Sequence, residues 1–562
     1  MTAPTVFPSL RGYQRKWLRG DVLAGLTVWA VLVPESLAYA SIAGAPPVVG
    51  LYAAPAALLL YAVLGSSRQL VVGPMSATAA LSAGVVAAVI GVSGDGYVAA
   101  TAALAIVVGV IAIVAGLLKL GFLASFISEP VLKGFIVGLA LTIIAGQLPS
   151  LFGVPKGEGD FFEKIWDLVT ELGATNGWTL GVGLVSLLVV LGLKRYVPLL
   201  PASLFAVVLG VLAVVVFGLE DHGVAVVGQI KGGLPSYGVP DVSAADYLAL
   251  AGGAFGVALV GFAEGLGAAK TYATKAGYDV DPNRELLGLG AANLGAGLSS
   301  GMVVNGSLSK TAVNGAAGAR SQISGLVVAG LTVVTLLFLT GLFEQLPEAT
   351  LAAVVIAAVI ELVDFPALAR LYRLWTGRLA TIYGAAARID FGAAIAALLG
   401  VLLFDTLPGL FIGIGVSMLL LLYRASRPNV AVLGHAGDSA RVWVDRDRHP
   451  DTVTEPGVLV VRVESGLFFA NADHVRDRIR SLVSAGEYRA VVLDAETVPF
   501  VDVTAAQMLV ELARDLETNG TRLLLARDIG QVRDVLRRAG GDERLTHLYP
   551  TVEAALSAQR RP

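Results

Sequence analysis

The chain has 562 residues, of which 56% are hydrophobic and only 15% charged, with a mean hydropathy of +0.75; soluble domains carry about 25% charged residues, so a wholly water-soluble protein is excluded. There is no cysteine, and the five histidines are scattered without ligand spacing, which excludes disulfides and thiol chemistry and leaves no pattern for a metal centre. The net charge of −3 carries no signal for nucleic-acid binding.

Charge is also unevenly spread. From about Asp21 to Leu422 it is sparse, whereas from Arg424 onward Asp, Glu and Arg recur every few residues, as in a soluble fold. The expected division is a short cytoplasmic segment over 1–20, a membrane domain over 21–425 and a cytoplasmic domain over 426–562. The first apolar stretch lies behind Arg11, Arg15, Lys16 and Arg19 and lacks a clear small-residue cleavage site, so it reads as a retained span rather than a signal peptide.

A spanning helix needs about 20 mostly apolar residues, and on that criterion the sequence predicts about fourteen spans. They begin near Asp21, Pro47, Pro74, Val98, Phe122, Trp178, Ala202, Tyr247, Leu286, Ser309, Gly325, Pro347, Ile389 and Leu407. Lys and Arg gather on the cytoplasmic side of membrane proteins. An even count places inside the segments with Arg68, Lys119, Lys194 and Arg195, Lys270 with Lys275 and Arg284, and Arg370, Arg373, Arg378 and Arg388. The segments it places outside are acidic: Glu158, Asp160, Glu163, Asp167 and Glu171 outweigh Lys156 and Lys164 in one, and Glu220 and Asp221 lie in another. Both termini are therefore expected in the cytoplasm.

Two predicted spans, the third and the tenth, are unlike the others. They open with VGPMSATAA (Val72 to Ala80) and NGSLSKTAV (Asn305 to Val313), small, polar or helix-breaking residues that hydrocarbon does not tolerate unless the backbone is buried in protein or lines a cavity. Interrupted segments at matching positions of two halves point to inverted repeats with a substrate site between them; two ordinary kinked spans are the plainer alternative.

From about Val430 the period changes. Short β-rich runs, GVLVVRV from Gly457, RAVVLDA from Arg489 and RLLLAR from Arg522, alternate with the helical patterns ADHVRDRIRSLV, TAAQMLVELARDLE and IGQVRDVLRRAG. That alternation predicts a small α/β domain with a largely parallel sheet.

Several longer strings share an order and spacing with a known family. VPESLAYASIAGAPPVVGLYAA (Val33 to Ala54), GSSRQLVVGP (Gly65 to Pro74), ALVGFAEGLGAAK (Ala258 to Lys270), DPNRELLGLGAANL (Asp281 to Leu294), SLSKTAVNGAAGARSQISGL (Ser307 to Leu326), RPNVAVLG (Arg427 to Gly434) and GLFFANAD (Gly466 to Asp473) together resemble the SulP anion transporters with a C-terminal STAS domain. The resemblance implies a 7+7 inverted repeat divided into core and gate, an anion held between the N-termini of half-helices three and ten, elevator-like movement of the core, and a homodimer.

The chemistry of such a site is electrostatic. The unpaired N–H groups of a helix start carry about half a positive charge, so two starts facing one cavity attract an anion without a fixed cation that would hold it too tightly. The candidates are Met75, Ser76 and Thr78 at one start and Ser307, Ser309, Lys310 and Thr311 at the other; helix capping is the structural alternative for the hydroxyls. A lysine in an apolar span costs about 2.5–3.5 kcal/mol on insertion scales and is functional or paired, and the resemblance puts a basic residue at Lys310 beside the anion. Arg320 is expected to reach the cytoplasmic interface.

Glu264, among Gly261, Gly265 and Gly267, is a second intramembrane charge; it can take up a proton, coordinate sodium, or serve as a fixed partner of Lys310. The family uses this position for the coupling ion. Its sodium-dependent members resemble an Asp followed four residues later by Thr, whereas here Glu264 is followed by Ala268, which favours a proton over sodium. Glu35, in VPES, stands where the family usually has Gln, and an ionised carboxylate there repels an anion; it must be protonated, turned away, or paired with Lys310. Tyr39, one turn on, lines the same cavity or packs between helices. In DPNRE, Asp281, Asn283, Arg284 and Glu285 read as structural, with Asp281 or Asn283 capping a helix. In the tail, Thr504 either caps TAAQMLVELARDLE or is the phosphorylated position of related regulatory domains.

With no P-loop, GxSxG or zinc spacing, nothing supports an enzyme. The expected function is secondary active transport of a small anion such as sulfate, bicarbonate or a dicarboxylate, coupled to protons and needing no cofactor. A channel, an exchanger or an anion sensor signalling through the STAS domain are the alternatives. The expected setting is a bacterial inner membrane, and the expected partners are the bilayer, a second copy of the chain and a regulatory protein at the tail.

Overall fold

The structure, a computed structural model, describes residues 6–90, 96–122, 128–157, 159–197, 200–230, 232–360, 363, 369, 380–404, 406–436, 442–540, 545, 547 and 549–560, without the side chains of 380–390, 407 and 560. Glu158, Arg370, Arg373 and Arg378, and the side chain of Arg388, lie outside the described residues. The chain divides into two units, Met1–Ser417 and Met418–Pro562.

The first unit is helical. Its apolar helices are α1 (Leu18–Ile42), α2 (Pro47–Leu64), α3 (Ser76–Ile90), α4 (Tyr97–Leu117), α5 (Glu129–Phe152), α7 (Gly177–Tyr196), α8 (Ala202–Phe217), α9 (Ala244–Ala276), α10 (Pro282–Leu298), α11 (Leu308–Ala316), α12 (Ile323–Val334), α13 (Glu348–Ile360) and α14 (Ala380–Phe404); a last apolar helix, α15 (Thr406–Ser426), begins in this unit and ends in the next. Among the described residues eight helices are long and apolar enough to cross a membrane. Between α5 and α7 the acidic segment folds into the amphipathic helix α6 (Phe161–Glu171), where Asp160 and Glu163 form a reciprocal capping box.

Local chemistry explains the starts. Asn176 caps α7, Ser243 and Asp246 form a box at α9, and Asp281 rather than Asn283 caps α10 just ahead of Pro282; each side-chain oxygen satisfies amides that the helix itself cannot. Helix α12 runs on through a π-helical turn over Thr335–Leu339. In the packing, α10 lies against α2 and α4, α1 against α2 and α12, and α5 against α13 and α14.

Two fully buried carboxylates fix connections within this unit. Asp21, near the start of α1, accepts the amides of Arg320 and Ser321 at 2.7 and 3.2 Å and the Ser321 hydroxyl at 2.7 Å. Glu285, on α10, accepts the Tyr61 hydroxyl at 2.7 Å, the Ser66 amide and hydroxyl at 2.7 and 2.6 Å, and the Ser67 amide at 3.0 Å. A buried charge is tolerable only with such donors. Glu285 thereby anchors the loop that leaves α2.

The second unit is an α/β fold whose sheet has the order β4-β3-β5-β6-β7, with β3 (Val430–His435), β4 (Trp443–Asp445), β5 (Val458–Val463), β6 (Ala490–Asp494) and β7 (Arg522–Ala526). The strands β5, β6 and β7 are parallel, and β3 adds antiparallel partners at the edge. Helices α16 (Ala472–Ser484), α17 (Val503–Thr518) and α18 (Gly530–Arg538) cover one face through Val475, Ile479, Leu509, Leu512 and Leu536. The other face packs on α19 (Val552–Arg560) through Val552, Ala555 and Leu556. Asp494, buried at the end of β6, is clamped by the guanidinium groups of Arg462 and Arg527.

Candidate functional site

Helices α3 and α11 start beside each other because each is preceded by a three-residue strand, and the two strands pair. β1 (Val71–Gly73) runs antiparallel to β2 (Asn305–Ser307), with Val71 opposite Ser307 and Gly73 opposite Asn305. Residues Pro74 and Met75 then lead into α3, whereas Leu308 opens α11 directly. The ladder satisfies irregular backbone within the protein interior, which is the condition for having it at membrane depth. First-turn amides of both helices lack intrahelical acceptors.

Ser307 caps α11, its hydroxyl accepting the amide of Lys310 at 3.2 Å and lying 3.2 Å from the hydroxyl of Ser309. The Thr311 hydroxyl donates to the Ser307 carbonyl and accepts the Val71 amide at 3.1 Å, stitching α11 to β1. On α3, Ser76 and Thr78 are buried, and the Thr78 hydroxyl donates to the Met75 carbonyl at 3.3 Å. Ser309 is exposed.

Lys310 joins the two starts. Only 1% of it is exposed, and its Nζ donates to the carbonyl of Pro74 at 3.1 Å, immediately before α3. The same Nζ lies 2.9 Å from Oε2 of Glu35 and 5.0 Å from the centre of the Tyr39 ring. Of the three states open to Glu35, the structure holds the pairing with Lys310. The two helix ends add positive character beside this pair.

Glu264 is not the partner of Lys310. It lies half-buried on α9 and accepts a long 3.4 Å hydrogen bond from Nδ2 of Asn305, in β2. Close approach of α9 to β2 depends on glycine: a Cβ on Gly306 would lie 2.9 Å from the Cα of Gly265. Asn293 on α10 holds the chain entering β2, donating to the Val304 carbonyl at 2.9 Å and accepting the Val304 amide at 3.0 Å.

Sequence reasoning did not single out Asn293 or Asn305, although two asparagines in an apolar stretch are the available signal. Nor did it foresee the Pro74 carbonyl, since a backbone acceptor has no residue signature. In the tail, Thr504 is exposed and does not cap its helix. Asp502 does, accepting the Ala505 amide at 2.8 Å, so that the helix starts at Val503 and Thr504 falls inside its first turn. Arg320 is exposed.

Known proteins share this organisation. The profile of the sulfate permease family matches residues 18–384, and that of the STAS domain residues 449–555. A probable sulfate transporter of Mycobacterium tuberculosis is 38% identical over 98% of this chain and 97% of its own length. A high affinity sulfate transporter of Stylosanthes hamata is 30% identical over 93% of this chain and 80% of its own. Among solved structures, the murine solute carrier 26 family member A9 anion transporter in its inward-facing state superposes with a TM-score of 0.87, at 24% identity, over 98% of this chain and 94% of that one. The transmembrane domain of a cyanobacterial bicarbonate transporter superposes with a TM-score of 0.61 at 22% identity, over 71% of this chain and 98% of that one. With a family profile over more than half its length and a near full-length relative at 38% identity, this multi-pass membrane protein belongs to the sulfate permease family and carries a STAS domain in its C-terminal part.

Proposed function

We propose that the protein is a secondary active transporter of small anions, with sulfate as the first substrate to test. The observation that carries this reading is the meeting of two helix starts, α3 and α11, across the β1–β2 ladder with Lys310 buried between them. The amides of both first turns, the hydroxyls of Ser76, Thr78, Ser307, Ser309 and Thr311, and the side chains of Met75 and Tyr39 would surround the anion. The names of the mycobacterial and plant relatives support sulfate, and those of the two solved structures support anions more broadly, bicarbonate included.

Glu264 is proposed as the proton-coupling residue. It has no ion-pair partner among the described residues, and Ala268 offers no hydroxyl for sodium. Glu35 is a second proton carrier: protonation would release Lys310 to the anion. The wider assignments rest on the family resemblance and on the positive-inside pattern. These are about fourteen spans in a 7+7 repeat over 21–425, elevator-like alternating access, a homodimer, both termini in the cytoplasm of a bacterial inner membrane, and a cytoplasmic STAS domain over 426–562. That domain would bind a regulatory partner, with exposed Thr504 as its modifiable position. Uptake of labelled sulfate into proteoliposomes under imposed proton or sodium gradients tests the central part. Proton-driven accumulation supports symport; a leak that never concentrates sulfate indicates a channel, and absence of flux a sensor.

A further inference from the structure

A cavity of about 600 Å³ opens between the last turns of α9, the loop from α2 to β1, and the connection from α11 to α12. Three cations line it, Arg68, Lys275 and Arg320, together with Trp17, Tyr272 and Tyr278, and no Asp or Glu is among its lining residues. None of the three cations has a carboxylate partner among the described residues. Lys275, in the last turn of α9, also offsets the helix dipole. Arg68 and Arg320 sit on connections where no helix end explains them.

The walls are fixed rather than incidental. The Arg68 guanidinium lies 4.9 Å from the centre of the Tyr278 ring and the Lys275 ammonium 4.8 Å from that of Tyr272. The Tyr278 hydroxyl accepts the Arg68 amide at 2.9 Å and donates to the side chain of Gln69 at 2.6 Å. Buried Asn314 donates to the Gln69 carbonyl at 2.8 Å, and the Arg320 amide is held by Asp21. Cations stacked on rings keep their N–H donors for another acceptor.

We infer that this cavity binds a phosphate group at the membrane surface, in the first instance that of an anionic lipid headgroup. Arg forks and a Lys point charge match phosphate oxygens, Trp and Tyr settle at headgroup depth, and basic pockets between spanning helices take anionic headgroups. The site is separate from the pair of helix starts: its residues lie on the C-terminal parts of α9 and α11 and on the connections beside them, and Lys310 is not among its lining residues.

The test is a native mass-spectrometry titration of the full-length protein with phosphatidylglycerol, with phosphatidylcholine of the same chains, and with inorganic phosphate alone. The wild type is expected to prefer phosphatidylglycerol, and R68Q/K275Q/R320Q to bind it about a hundred-fold more weakly, with each single change lowering affinity about five-fold should the triple variant not fold. Lys310→Ala should retain the lipid. Displacement of the lipid by inorganic phosphate, with direct phosphate binding lost in the same variants, would assign the cations to a soluble phosphate. Equal binding of both ligands by wild type and variants overturns the inference.

Discussion

Replacing Lys310 by Met would leave Glu35 charged and buried without a partner, a change that typically costs about 3–5 kcal/mol. The pair is only 1% and 5% exposed at its side chains, so solvent does little to relieve that cost. Glu35→Gln in the same chain removes the stranded charge and should restore most of the lost thermal stability, although not transport. Simple addition of the two single effects in a double-mutant cycle would mean that the residues are not coupled. At Glu264 the expectation differs, because among the described residues its side chain has one hydrogen bond, the long one from Asn305, and no ion pair. Glu264→Gln keeps shape and hydrogen-bonding capacity, so it should abolish proton-driven accumulation while sulfate exchange across the membrane persists. Unchanged proton-driven uptake in that variant would remove Glu264 from the coupling step.

At the scale of elements, the paired strands β1 and β2 decide where the helix starts lie. Gly306→Ala would push a Cβ against the backbone of Gly265 at 2.9 Å, where no flexible side chain can yield. A destabilisation of about 1–3 kcal/mol and a sharp fall in uptake are expected, measured by melting in detergent and by proteoliposome flux; a fully active Gly306→Ala would show that the ladder does not set the site. The sequence revealed both broken segments, through VGPMSATAA and NGSLSKTAV, but not the strands between them. Three residues are too few to display a period of two, and pairing partners more than two hundred positions apart leave no local trace. Glu35 illustrates the same boundary: its three possible states were legible, and choosing among them required the placement of Lys310. In the tail, short β-rich runs alternating with helical patterns were enough to find β5, β6 and β7, whereas helix capping turned on one residue. Asp502→Ala should therefore lower the stability of the second unit by about 1 kcal/mol, and Thr504→Ala should leave its melting nearly unchanged.

For the whole molecule, the proposed anion site belongs to the first unit alone. Every group placed around the anion lies between Glu35 and Thr311, so a chain ending after about Arg427 should keep the wild-type order of anion preference even where assembly or regulation suffers. A changed order in a competition assay would show that the second unit shapes the site. The most direct test of the central claim is the concentration dependence of labelled sulfate uptake into proteoliposomes under an inward proton gradient, compared between wild type and Lys310→Ala. The account predicts that the wild type concentrates sulfate above the external level and that Lys310→Ala loses apparent affinity by about ten-fold or more, as for the loss of a charge-assisted contact. Accumulation by Lys310→Ala at wild-type affinity would contradict it.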